Sequence, residues 1–164
     1  MREVVRITGL SSATIYRLFS SKDHLIAVAH LEWIKEWIAN LDTRPVVAHG
    51  ADGVAEIIHR TCVALARSDG IGAATIRALA SSDPNVHLVQ ERAKELSNTI
   101  IRQMVADQLA DPDEYVELLG FAWRGGLDSW ASGRAAMNHV DHRLQRLARL
   151  LLDGSLVDAA RPAR

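Results

Sequence analysis

The chain has 164 residues, the length of one domain or of a small module joined to a larger one, and enough to bury a substantial core. Its net charge of −1 argues against binding nucleic acid through the whole surface, and its single cysteine, Cys62, excludes an internal disulfide. It contains no run of about twenty apolar residues and no signal-peptide core. We therefore predict a cytoplasmic protein that does not bind membranes.

Apolar residues recur at spacings of three and four throughout the chain, and no alternating strand pattern persists. This periodicity predicts an all-α fold. Near the start, Gly9 can adopt the left-handed conformation that ends a short helix, and Ser11 or Ser12 can cap a second helix, predicted over Ser12–Leu18. A small local excess of positive charge accompanies these helices, with Arg2, Arg6, Arg17 and Lys22 opposing Glu3 and Asp23.

Capping residues and prolines delimit the remaining elements. Ser20 or Ser21 begins a long helix that continues to about Leu41, and a loop at 42–52 leads to a helix that ends near Gly70. A short helix at 73–79 follows. Asp83 and Pro84 open a helix of about 26 residues, Asp111 and Pro112 open one that ends near Gly133, and Asn138 caps a last helix that ends before Gly154. The tail at 155–164 is predicted to be frayed.

The segment at 8–25 has the residue types of a DNA-reading helix-turn-helix. A recognition helix presents short polar side chains to the major groove and anchors itself to phosphates through hydroxyls and cations. The apolar residues of the segment, Leu10, Ile15, Leu18 and Phe19, are expected to face inward. Its sequence resembles the signature of the tetracycline-repressor (TetR) family of transcriptional regulators: Thr8-Gly9-Leu10-Ser11, Thr14-Ile15-Tyr16, Phe19, Ser21-Lys22-Asp23 and Leu25.

The resemblance implies a homodimer with a DNA-binding region at 1–25 and a helical ligand-binding and dimerisation domain at 26–154. By position in the motif, Thr14, Tyr16 and Lys22 are expected to contact phosphates. Ser12, Ala13 and Arg17 are expected to face the bases. The alternative is that Tyr16 only packs and that Ser11 only caps its helix.

One departure from the family pattern concerns the N-terminus. Family members carry a further helix ahead of the segment that starts here at Met1, so the helix-turn-helix is expected to be truncated. The apolar sides of Val4, Val5, Ile15 and Phe19 are then expected to lose a cover. A start codon assigned too late is the favoured explanation, and an artificially shortened chain or a degenerate paralogue are the alternatives.

The long helix after the motif carries more apolar surface than one contact needs. Trp33 and Trp37 share one face, and Leu31, Ile34, Ile38 and Leu41 form an adjoining stripe. A pocket for a small apolar effector with one or two polar groups is predicted between this helix and its neighbours. The predicted lining comprises Trp33, Trp37, His59, Cys62, Ile76, Leu79, Leu96, Ile100, Met104, Phe121 and Trp130. The alternative is that each of these is an ordinary core residue.

The last two helices have the features of a dimer-forming pair. Small residues on the first of them permit close helix approach, and an apolar stripe marks the second. The predicted interface comprises Ala122, Gly125, Gly126, Ser129, Gly133, Val140, Leu144, Leu147 and Leu151. The alternative is that both helices only close the core of the monomer.

Residues typical of catalysis are sparse, so no enzymatic activity, cofactor or metal is predicted. His139 and His142 have a spacing that can hold a metal, but no third ligand is evident. We therefore predict a ligand-responsive repressor that binds operator DNA as a homodimer and is released by the effector. The alternative is a truncated paralogue that binds a ligand or a dimer partner but not DNA.

Overall fold

The computed structural model describes residues 2–68, 71–109 and 111–159. These residues form helices and contain no strand, so the predicted all-α fold is confirmed. The helices are α1 Arg2–Thr8, α2 Ser12–Leu18, α3 Lys22–Thr43, α4 Gly50–Ala66, α5 Ile71–Ala78, α6 Pro84–Val105, α7 Pro112–Ala131 and α8 Met137–Ala159.

Local capping chemistry sets several helix ends, and side-chain caps begin α2, α3, α6 and α7. Gly9 has φ +68° and its N–H donates to the Val5 carbonyl at 2.9 Å, which ends α1. Ser11 Oγ accepts from the Thr14 amide at 3.1 Å and caps α2. Of the two serines considered for α3, Ser21 is the cap.

Two helix ends differ from the prediction. α6 has 22 residues and stops at Val105, and just beyond it the Gln108 N–H donates to the Val105 carbonyl in a tighter turn with a spacing of three residues. Asn138 is not the cap of α8, because it lies inside the first turn and its Oδ1 accepts from the adjacent His139 amide.

Other boundaries shift by a few residues. α3 extends to Thr43, α4 begins at Gly50 inside the predicted loop, and α5 runs over Ile71–Ala78 rather than 73–79. α4 ends at Ala66, and Gly70 lies outside the described residues. α8 continues to Ala159, so the backbone at 155–159 is helical where a frayed tail was expected, and 160–164 lie outside the described residues.

Two apolar clusters hold the helices together. The main cluster joins α4, α6, α7 and α8, and the Tyr115 hydroxyl donates to the Ala148 carbonyl within it at 2.9 Å. Its buried members are Val54, Ile58, Cys62, Val105, Tyr115, Val116, Leu119, Val140, Leu144, Ala148 and Leu152. A second, smaller cluster joins α3 to α6 through Ala27, Leu31, Val86, Val89 and Ala93. α3 is thereby packed along α6 and also contacts α5.

Candidate DNA interface and ligand cavity

The six residues predicted to contact DNA lie on α2 and at the first position of α3. Five of them are exposed: Ser12, Ala13, Tyr16, Arg17 and Lys22. Thr14 is half-buried, and its hydroxyl lies 2.9 Å from Ser11 Oγ, within the helix cap. The structure therefore leaves hydroxyl and cationic groups of this segment accessible, as phosphate contacts require.

The apolar side of the helix-turn-helix is only partly covered. Ile15 is 1% exposed, so it has not lost its cover, and Val4, Val5 and Phe19 are half-buried. Leu10 and Leu18 were expected to face inward but are 43% and 56% exposed. Ile15 is therefore the buried residue of α2, and the leucines on either side of it lie in solvent.

A polar contact ties the start of α3 to the start of α6. Asp83 Oδ2 accepts from Ser20 Oγ and from Ser21 Oγ, each at 2.6 Å, while Oδ1 caps α6 by accepting from the Asn85 amide at 2.9 Å. The hydrogen bonds from Ser20 and Ser21, followed by that from Asn85, lower the pKa of Asp83 to about 2. We call this arrangement the Ser21–Asp83 contact.

A cavity of about 150 Å³ lies between α3, α4, α5, α6 and α7. Its apolar lining is aliphatic and aromatic, and every one of these five helices contributes to it. The apolar lining residues are Trp33, Ile34, Trp37, Ile38, Ile57, Ile58, Leu65, Ile76, Ile100, Ile101, Val116, Leu119, Trp123 and Leu127. The remaining lining residues are Gly120 and four polar ones, and none is Asp, Glu, Lys or Arg.

The four polar lining residues are His30, Thr61, Ser97 and Asn98. The Thr61 hydroxyl donates to the Ile57 carbonyl, and the Ser97 hydroxyl donates to the Ala93 carbonyl. His30 is stacked on Trp33 with a centroid distance of 5.7 Å, and burial lowers the pKa of His30 to about 4. Its imidazole is therefore neutral near pH 7.

Only part of the predicted pocket lining is brought together. Trp33, Trp37, Ile76 and Ile100 line the cavity. Seven residues of the prediction lie elsewhere. Cys62 is part of the main cluster, and Met104 and Trp130 pack against it. Leu79 packs against the second cluster, and His59 Nδ1 pairs with Asp141 Oδ2 at 2.7 Å. Leu96 and Phe121 are exposed.

Cys62 lies outside the cavity because it is packed in the core. Cys62 is 1% exposed in the main cluster, and burial followed by the charge of Asp141 raises the pKa of its thiol to about 12. That thiol is unreactive near neutral pH.

The sequence prediction missed four cavity residues on α7: Val116, Leu119, Trp123 and Leu127. Their spacing of three and four forms an amphipathic stripe that could have been recognised in the sequence.

The predicted dimer residues fall into two groups. Val140 and Leu144 are each 4% exposed within the single chain, and a Cβ at Gly126 would lie 2.9 Å from Val140 Cγ1. These three residues therefore pack at the α7–α8 contact within the single chain. Gly133 has φ +76° and lies beyond the end of α7. The remainder are exposed Gly125 and half-buried Ala122, Ser129, Leu147 and Leu151.

His139 and His142 are both exposed, and no group of three or more His, Cys, Asp or Glu side chains suited to a metal occurs among the described residues. Within the same described part of the chain, every helix is too short or too polar to cross a lipid bilayer.

Comparisons with known proteins agree with the helical architecture. Residues 49–151 match the family described as "Tetracyclin repressor-like, C-terminal domain". The fold is similar to that of a TetR transcriptional regulator from Rhodococcus sp. RHA1, with a TM-score of 0.71 and 22% sequence identity. That likeness covers 92% of this chain and 82% of the Rhodococcus chain. No curated protein sequence gives a match.

Proposed function

Since the chain belongs to the tetracycline-repressor-like family of transcriptional regulators, we propose that it is a ligand-responsive repressor that acts as a homodimer. In this proposal the dimer binds operator DNA through α2 and the start of α3. A small apolar molecule in the cavity releases the DNA. The observation that carries the proposal is that α3 belongs to both sites, because Lys22 begins the helix and Trp33 and Trp37 line the cavity.

The shared helix offers a direct mechanical route between the sites. Lys22 and Trp33 are separated by about 16 Å along α3 at a rise of 1.5 Å per residue. A ligand that displaces the Trp33 side of α3 also moves the Lys22 end, because a helix transmits such shifts as a nearly rigid rod. Two half-sites one helical turn apart, about 34 Å, tolerate little change in the spacing of the recognition helices. The ligand then favours the DNA-free state through differential affinity.

The outer surface of α7 and α8 supports the homodimer. Leu118 and Phe121 are 46% and 69% exposed on α7, and Gly125 continues the same face at helical spacing. Leu150 is 54% exposed on α8, with half-buried Leu147 three positions before it. An apolar surface of this kind on two adjacent helices suits a four-helix contact with a second copy. This surface replaces Val140 and Leu144 in the proposed interface.

A second candidate function is a protein that binds a ligand or a dimer partner but not DNA. It is favoured by one observation, that Leu10 and Leu18 on the apolar side of the helix-turn-helix are 43% and 56% exposed.

An electrophoretic mobility assay separates the two functions. The 164-residue protein is titrated against the intergenic DNA upstream of its own gene, with a shuffled fragment of equal length as the control. The proposed repressor retards the upstream fragment selectively, and ligand reverses the shift. Equal retardation of both fragments, or none, contradicts the proposal.

A further inference from the structure

The cavity against α3 contains two polar side chains whose hydrogen-bonding groups are not used by the fold. Among the described residues, neither the His30 imidazole nor the Asn98 carboxamide has a hydrogen-bond partner, whereas Thr61 and Ser97 donate to carbonyls of their own helices. A neutral imidazole has one donor and one acceptor, and a carboxamide offers both. Groups of this kind at an otherwise apolar cavity fix the orientation of a ligand.

The size of the cavity limits what it can hold. Its volume is about 150 Å³. An apolar protein cavity of about this volume accepts benzene. Three of the four tryptophans of the chain, Trp33, Trp37 and Trp123, line it, and their flat faces favour offset stacking or edge contacts with another ring. A single aromatic ring with a small substituent therefore fits in size and in shape.

The charge of the lining limits the ligand further. No Asp, Glu, Lys or Arg lines the cavity, and its histidine is neutral near pH 7. A carboxylate or ammonium group placed there would lose its hydration without gaining a counter-ion, which is strongly unfavourable. Charged aromatic molecules of the same size are therefore excluded.

We propose that the ligand is an uncharged single-ring aromatic molecule with one hydrogen-bonding substituent, a hydroxyl or a carboxamide, that pairs with His30 or Asn98. This inference deepens the proposed function and rests on it for the ligand's role as an effector. The binding itself is independent of DNA.

Four probes of nearly equal size test the inference: benzyl alcohol, toluene, benzoate and benzylammonium. Binding of each to the full-length protein without DNA is followed at pH 7 by tryptophan fluorescence and by thermal stabilisation. Benzyl alcohol and toluene are expected to bind, and the two ions are not. Binding of either ion as tight as that of benzyl alcohol, or no binding of benzyl alcohol, would overturn the inference.

Two substitutions test the polar contacts. His30→Phe keeps a ring beside Trp33 but removes both nitrogens, and Asn98→Leu keeps the approximate volume of the side chain. Each is expected to weaken benzyl alcohol binding about three- to tenfold and to change toluene binding by less than about twofold. If neither variant separates the two probes, the inference is wrong.

Trp130→Phe is the matched control, because Trp130 does not line the cavity. This variant is expected to retain the full fluorescence response to benzyl alcohol. Loss of that response would contradict the placement of the ligand. The proposed function fails separately if benzyl alcohol binds but no ligand of this class changes the affinity for operator DNA.

Discussion

Ser21 Oγ donates to Asp83 Oδ2 at 2.6 Å and so joins the N-terminal cap of α3 to that of α6, 62 positions away in the sequence. The same serine oxygen accepts from the His24 amide at 3.0 Å and caps α3. The start of the helix that carries Lys22 is therefore attached to the start of α6, while the cavity contacts that helix further along. In the proposed function, coupling between DNA and ligand passes along this stretch of α3 or through the Ser21–Asp83 contact to α6, which also lines the cavity.

Asp83→Asn is expected to release the start of α3 without uncapping α6. The remaining carbonyl oxygen of Asn can still accept from the Asn85 amide, but the new NH₂ group cannot accept from Ser20 and Ser21. We expect a lower melting temperature and faster amide hydrogen exchange at residues 20–26. Asp111→Asn is the matched control, because Asp111 Oδ1 alone accepts from both amides that it caps. Equal exchange at residues 20–26 in the two variants would contradict a coupling role for the Ser21–Asp83 contact.

Lys22→Ala is expected to weaken DNA binding by about the same factor for operator and non-operator sequences. The slope of log affinity against log salt is negative. Loss of one phosphate contact per protomer makes it shallower, by about one for each protomer. The measurement is a salt titration of DNA binding by fluorescence anisotropy. Lys94→Ala is the control, because Lys94 is also an exposed cation but lies in the middle of α6, away from the proposed DNA surface, and pairs with Glu91. The proposed DNA surface is wrong if both variants keep the wild-type slope.

Phe121→Glu is expected to convert the proposed dimer to monomer. A charge in the centre of an apolar interface loses its hydration without a partner. Sedimentation velocity over a range of protein concentrations measures the change. Leu88→Glu is the control, because Leu88 is 67% exposed on α6 and Phe121 is 69% exposed on α7. A dimer that persists equally in both variants would place the interface elsewhere.

Two adjacent glycines of α7 are expected to respond in opposite ways to alanine. A Cβ at Gly125 meets nothing of its own chain within 4 Å, so Gly125→Ala should stabilise the protomer by up to about 1 kcal/mol through helix propensity when both glycine variants are made in the Phe121→Glu background, which removes the proposed dimer contact. A Cβ at Gly126 would lie 2.9 Å from Val140 Cγ1, and valine has little rotamer freedom to move away. Gly126→Ala should therefore be less stable than Gly125→Ala by at least about 1 kcal/mol in urea unfolding. Equal stabilities would show that the α7–α8 contact is looser than described.

Acidification is expected to destabilise the protein through His30. Burial lowers the pKa of His30 from 6.5 to about 4, so the unfolded chain binds a proton between these values while the folded chain does not. The contribution of His30 to the free energy of unfolding is fully present above pH 6.5 and is lost as the pH falls towards 4. The expected loss between pH 7 and pH 5 is up to about 2 kcal/mol. His30→Phe should remove this component from urea unfolding curves, whereas His142→Phe, which removes an exposed imidazole, should retain it.

The sequence by itself determined the features that depend on neighbouring residues. The left-handed Gly9, the Ser11 cap and the aspartate–proline starts of α6 and α7 were all predictable, because each depends on contacts within a few positions of the chain. The periodicity of three and four was also enough to predict an all-α fold.

Tertiary structure alone decided what each apolar face packs against. The Val140 and Leu144 stripe was identified from spacing, but spacing shows only that a face is buried, and here it is buried against the same chain. Five helices converge to form the cavity, and His30 and Trp123 line it together with Trp33. Cys62 and Met104, which were predicted to line it, lie in and against the main cluster instead. A helical stripe specifies the direction of a side chain, and only the packing of distant segments specifies its partner.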